Sequence, residues 1–154
     1  MARTEFAFHH RFRVRWSETD AQGVVFNARY LDYADVAVTE YWRAAKFRDY
    51  ADGAPLEFHV KKATVTWFAP IKPDELIDVM ARTVATGRTS MSQIVEIHGI
   101  TEDGSDDLRA TVDLVSVHVD LDTHRPIPLP HWVKDVFLNF DQQAATPAVA
   151  MADA

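Results

Sequence analysis

Two carboxylates and a glycine stand close together in Ser17-Glu18-Thr19-Asp20-Ala21-Gln22-Gly23, just before an apolar segment of helical periodicity. A carboxylate on such a loop can act as a nucleophile or as a general base. The first turn of a following helix offers backbone N–H groups that hold a developing negative charge. Other chemistries fit poorly. Glycosidase action needs two acids flanking a cleft, and nothing sets the separation of Glu18 and Asp20. The seven histidines are scattered, His9 and His10 would point to opposite faces of a strand, and there is no cysteine, so no metal site is expected. No Gly-rich phosphate loop and no G-x-S-x-G elbow occurs, and Ser17 has no histidine partner visible in the sequence. Asp20 remains as the reactive group, although a loop aspartate taken alone is more often a turn or cap residue.

The chain of 154 residues is long enough for one domain with a core, and its composition is ordinary for a globular protein. A net charge of −7 argues against nucleic acid as the main partner. No apolar run is long enough to span a bilayer, and the alternating start does not read as a secretion signal. With no cysteine, the expected setting is cytoplasmic.

The elements that must position Asp20 follow from periodicity. From Phe6 to Trp16 apolar and polar residues alternate, so Phe6, Phe8, His10, Phe12, Val14 and Trp16 share an inner face, and Arg11, Arg13 and Arg15 lie outside, solvated or facing phosphate. From about Ala28 to Phe47 the polar residues form one narrow stripe, which predicts a long helix that is mostly enclosed, with Asn27 as its N-cap. Ala34, Ala37, Ala44 and Ala45 would let a sheet approach it closely. Tyr50 to Leu56 reads as a loop. Four strands follow over Phe58–Ala69, Glu75–Thr86, Met91–Thr101 and Leu108–Leu121, with a bulge near Leu114-Val115 and a hairpin at Glu102-Asp103-Gly104-Ser105. A short helix spans His131 to Phe140. Residues 1–141 form one domain, and 142–154 a flexible tail. Short turns make the strands antiparallel, so the class is α+β, with a five-stranded sheet curled around one long helix.

The segment Asp20-x-x-Gly23-x-Val25-Phe26-Asn27-x-x-Tyr30, set between an alternating strand and an apolar helix, closely resembles the 4-hydroxybenzoyl-CoA thioesterase group of hotdog-fold acyl-CoA thioesterases. Trp67-Phe68-Ala69-Pro70 with Asp74, Gly87-Arg88-Thr89-Ser90 and Arg125-Pro126-Ile127-Pro128 resemble later landmarks of that family. The resemblance covers about Phe8 to Phe140. It implies that Asp20 attacks the thioester carbonyl or activates the water that does. It implies that the backbone N–H of Asn27 polarises the carbonyl and that Gly23 lets the loop bend close to substrate. Val25, Phe26 and Tyr30 would contact substrate, and Arg88 with Ser90 would meet the phosphates of coenzyme A, often across a subunit boundary. No cofactor is implied beyond the coenzyme A of the substrate, and homodimers or homotetramers are. The chain departs from the pattern at Asn27, where some short-chain members carry histidine, and at Val38, where many carry arginine. A substrate carried by acyl carrier protein and a non-catalytic acyl-thioester binder are the alternatives.

Overall fold

The computed structural model describes residues 2–53 and 56–144. Its strands are β1 (Phe8–Arg13), β2 (Glu57–Trp67), β3 (Leu76–Thr86), β4 (Ser90–Gly99) and β5 (Leu108–Val119). They form one antiparallel sheet in the order β1-β3-β4-β5-β2. The helices are α1 (Arg29–Ala44), α2 (Phe47–Ala51) and α3 (His131–Asp141). A tight turn at 87–89 and a loop at 100–107 join β3, β4 and β5 into a meander, while α1 carries the chain across to the far edge, where β2 pairs with β5.

The sheet curls around α1, as the sequence predicts. Tyr30, Tyr33, Ala34, Ala37 and Tyr41 recur at helical spacing and are buried. They meet alternate residues of the strands, among them Phe8, Ile77, Val79, Val95, Ile97 and Val112. Ala34 and Ala37 provide the close approach. The short helix α3 seals the far end: the Tyr41 hydroxyl donates to Asp141 (2.8 Å), whose carboxylate also accepts the Thr83 N–H (3.0 Å).

Several expectations change. The first strand stops at Arg13, because residues Trp16–Glu18 form a single 3-10 turn. Trp16 is therefore 75% exposed rather than on the inner face. Asn27 is not the N-cap. Ala28 precedes α1 with helical dihedrals, and the Arg29 N–H already turns back to the Phe26 carbonyl (2.9 Å). The helix ends at Ala44, because Lys46 adopts the left-handed region (φ 58°) and restarts the chain as α2, which occupies part of the expected loop. Nor is α1 enclosed all round in one chain, since Leu31 and Val36 are exposed. The bulge sits on the partner strand. Val60 pairs with Ser116 and Lys62 with Val115, so Lys61 of β2 is the extra residue. Arg11 and Arg13 do not form an open cationic face: Arg11 binds Asp78, and Arg13 donates to the Asp74 carbonyl. Of the expected tail 142–154, Gln142–Ala144 form a 3-10 turn, and the rest lies outside the described residues. Among the described residues, no helix is long and apolar enough to cross a membrane.

Candidate active site

The Asp20 loop is a small hairpin. The Asp20 N–H donates to the Val24 carbonyl (2.9 Å), and Thr19 and Val25 form an antiparallel bridge. The Phe26 N–H donates to the Glu18 carbonyl (2.9 Å). At the tip the Gly23 N–H donates to the Asp20 carbonyl (3.0 Å), and the Gln22 N–H donates to Asp20 Oδ1 (2.8 Å). This is an Asx-type turn, closed by a residue with φ +75°. A methyl at Gly23 would meet nothing within 4 Å, so its glycine serves the backbone angle rather than a close approach. Asp20 is half-buried, and its Oδ2 accepts no hydrogen bond among the described residues.

Two groups anchor the hairpin. The Val25 N–H donates to the Ile71 carbonyl (2.8 Å). Glu18 Oε1 accepts the Arg15 N–H (2.7 Å) and the Tyr33 hydroxyl (3.2 Å), tying the loop to α1. Burial first, and then the Glu18 charge, raise the Tyr33 hydroxyl above its ordinary range, so it stays a donor. Sequence reading missed this role of Glu18. The pairing with Tyr33 crosses from loop to helix, and only the helical phase of Tyr33 hinted at it.

The other predicted residues divide. Phe26 is 50% exposed beside Asn27, whose backbone N–H meets no acceptor among the described residues. Val25 and Tyr30 are buried and shape the site from behind, with the Tyr30 ring edge-on to Trp67 at 6.1 Å. Trp16, Trp67 and Phe68 are exposed at this same end of the sheet. Arg88 and Ser90 lie elsewhere. They sit on the β3–β4 turn, held by Gly87 N–H to Ser90 carbonyl and Leu129 N–H to Arg88 carbonyl bonds, both 2.8 Å. The Asp20 hairpin leaves the sheet where β1 ends beside the start of β3, and Arg88 follows the other end of β3. Eleven residues of strand separate the two, roughly 35 Å at ~3.3 Å per residue. One chain does not bring them together. Ser90 opens onto a cavity of about 440 Å³, with His59, Lys61, Thr89, His124 and Pro126 also on its wall. The His59 and His124 rings stack 5.8 Å apart there. A larger cavity of about 660 Å³ lies past the middle of α1, over Val38, Trp42 and Phe47, with Arg43, Lys46 and Arg48 at its rim. Among the described residues, no group of three or more His, Asp or Glu side chains could hold a metal ion.

A five-stranded antiparallel sheet wrapped around one long helix is the hotdog arrangement. The chain matches the thioesterase-like superfamily over residues 14–137 and belongs to that family. It is 30% identical over 139 residues to the acyl-CoA thioesterase YbgC of Haemophilus influenzae, a match covering 84% of this chain and 93% of that protein. It is 33% identical over 85 residues to the acyl-CoA thioester hydrolase YbgC of Escherichia coli O157:H7, covering 54% of this chain and 63% of the relative, less than two thirds of its length. A solved 4-hydroxybenzoyl-CoA thioesterase mutant complexed with 4-hydroxybenzoyl-CoA shares the fold, with a TM-score of 0.74, 15% identity and coverage of 84% and 97%.

Proposed function

We propose that this protein hydrolyses acyl-CoA thioesters to a carboxylic acid and free coenzyme A, with Asp20 as nucleophile or general base. The observation that carries the reading is the hairpin itself, in which one Asp20 oxygen is fastened by the Gln22 N–H and the other accepts no hydrogen bond among the described residues. The open oxygen either attacks the carbonyl carbon or takes a proton from the water that attacks it. Either route forms a tetrahedral oxyanion. The Asn27 N–H, two residues before α1 and without an acceptor among the described residues, would receive that charge. Collapse expels the coenzyme A thiolate, and the thiol gains its proton in the aqueous site. If Asp20 attacks, the mixed anhydride is then opened by water. The chemistry asks for no metal and no cofactor, because the thioester is already activated.

The coenzyme A phosphates would sit at Arg88 and Ser90, with Lys61 beside them. The separation of that turn from Asp20 supports an assembly in which the hairpin of one protomer faces the phosphate site of another. Faces for such an assembly are at hand. β2 is an edge strand with Val60 and Trp67 exposed, and α1 presents Leu31 and Val36. The assembly is a homodimer or a homotetramer built from it. The cysteine-free sequence supports a cytoplasmic setting. The test is free-thiol release from short, long and aromatic acyl-CoAs by the wild type and Asp20→Asn side by side. A wild type with no turnover on any of them sinks the proposal.

A further inference from the structure

We infer that Arg109 is a positioning residue of the Asp20 site, and that Gly99 is the spacer that gives it room. The inference rests on the functional reading above. Arg109 is the extra residue of a bulge in β5, since Ile97 pairs with Ala110 and His98 with Leu108. A bulge re-aims the side chain it carries. The Arg109 guanidinium turns onto the segment between β2 and β3. Its Nη1 donates to the Pro70 carbonyl (2.8 Å) and to Glu75 Oε2 (3.1 Å), and its Nη2 lies 2.7 Å from Glu75 Oε1. The Arg109 carbonyl accepts the N–H groups of Phe68 (2.8 Å) and Ala69 (3.2 Å). One residue thus pins residues 68–75 at both ends. That segment is what the catalytic hairpin hangs from, because the Ile71 carbonyl, midway along it, accepts the Val25 N–H.

Three further observations agree. The Glu75 carbonyl accepts the Val14 N–H (2.9 Å), so the entry to the Asp20 loop is fastened to the same segment as its exit. The Arg109 charge also reaches the Tyr30 hydroxyl, in the first turn of α1. Burial raises that hydroxyl's pKa, the Arg109 charge opposes the rise, and the charge of its partner Glu75 adds to it. Finally, Asp107 holds the other side of the guanidinium (2.8 Å), and a methyl at Gly99 would overlap both Asp107 Oδ2 and Arg109 Nη2. Lysine has the charge but not the fork, so it cannot span Pro70, Glu75 and Asp107 at once. An ordinary stabilising ion pair would show its effect in stability alone.

The experiment compares Arg109→Lys and Gly99→Ala with Arg11→Gln, which breaks a bond to Asp78, an ion pair that touches neither residues 68–75 nor the hairpin. Each variant is assayed for kcat, KM, melting temperature and amide hydrogen exchange over residues 18–26. We expect Arg109→Lys to lower kcat roughly ten- to a hundredfold with KM little changed, as misplacement of a reacting group does. Gly99→Ala should behave alike, and both should speed exchange at Val25. Arg11→Gln should lose melting temperature only. Wild-type kcat together with wild-type exchange in Arg109→Lys overturns the inference. Should the Arg109 variants not fold, Glu75→Gln decides by the same two readouts, and unchanged values overturn it. A wild type without turnover defeats the functional reading, and the exchange data still judge the positioning claim.

Discussion

Replacing Asp20 by asparagine isolates chemistry from architecture. The hairpin tip is held by the Gln22 N–H bonding to Asp20 Oδ1, and an asparagine carbonyl oxygen can accept that bond unchanged. The Gly23 N–H reaches the backbone carbonyl of residue 20 and is indifferent to the side chain. The fold should therefore lose no more than about 0.5 kcal/mol, the usual range for a change away from buried features. The charge, however, is gone. Loss of a nucleophile or general base lowers kcat by roughly 10²–10⁴, or about 2.7–5.5 kcal/mol of transition-state stabilisation. Asp20→Ala removes the turn bond as well, which adds about 1 kcal/mol of instability and lowers the melting temperature by roughly 2–4 °C. Thiol release on the best acyl-CoA substrate and thermal melts on all three proteins give both numbers. Asp20→Asn with wild-type kcat refutes the mechanism. So does a drop in Asp20→Asn that tracks its melting temperature, since the loss would then be structural.

Tyr33→Phe removes the hydroxyl that donates to Glu18 and should cost about 1 kcal/mol with a fall in kcat, measured by urea unfolding beside thiol release. Arg88→Ala should raise KM for acyl-CoA by about tenfold with kcat unchanged, and the wild-type KM should rise with salt as the variant's does not; equal KM values for the two proteins contradict the phosphate role. Two carboxyls give opposite pH limbs. Burial works to raise Asp78, but the bonds from Arg11 and Arg3 outweigh it and hold its pKa below the ordinary 3.8, so its contribution is present above that value and lost as pH falls through the lowered one. Burial raises Asp141 above 3.8 despite the bonds from Thr83 and Tyr41, so stability is lost as pH rises through its raised folded value. Urea midpoints across roughly pH 2 to 7 should therefore flatten on the acid side in Asp78→Asn and, above 3.8, on the rising side in Asp141→Asn.

Much of this architecture is legible in the sequence because alternation and helical phase are local. β1, α1 and the four later strands appear where periodicity places them, and Asp20 stands out because two periodicities meet beside it. The misses are where tertiary bonds override local pattern. Trp16 continues an alternating run, yet the chain leaves the sheet before it, because Glu18 turns back to the Arg15 N–H. Lys46 interrupts α1 through a left-handed backbone that lysine does not advertise. The broken alternation near Leu114-Val115 marks the bulge, but bulges belong to a pair of strands, and the extra residue is Lys61 opposite. Arg109 reads as one more strand residue, since its partners at Pro70 and Glu75 are distant in sequence.

The strand order also bears on when the molecule becomes competent during folding. β3, β4 and β5 close through short turns, so their pairing costs little loop entropy and should come early. β1 pairs with β3 only after the chain that holds α1 and β2 has been gathered in, and the Val25 to Ile71 bond bridges that same gap. The Asp20 hairpin is thus a late-forming structure resting on an early-forming meander. In stopped-flow refolding, thiol-releasing activity should return after the strand signal in circular dichroism, and activity recovering ahead of that signal contradicts the order. A partly folded chain would hold most of its sheet and yet be inert, so thioester hydrolysis would mark completion of the fold itself.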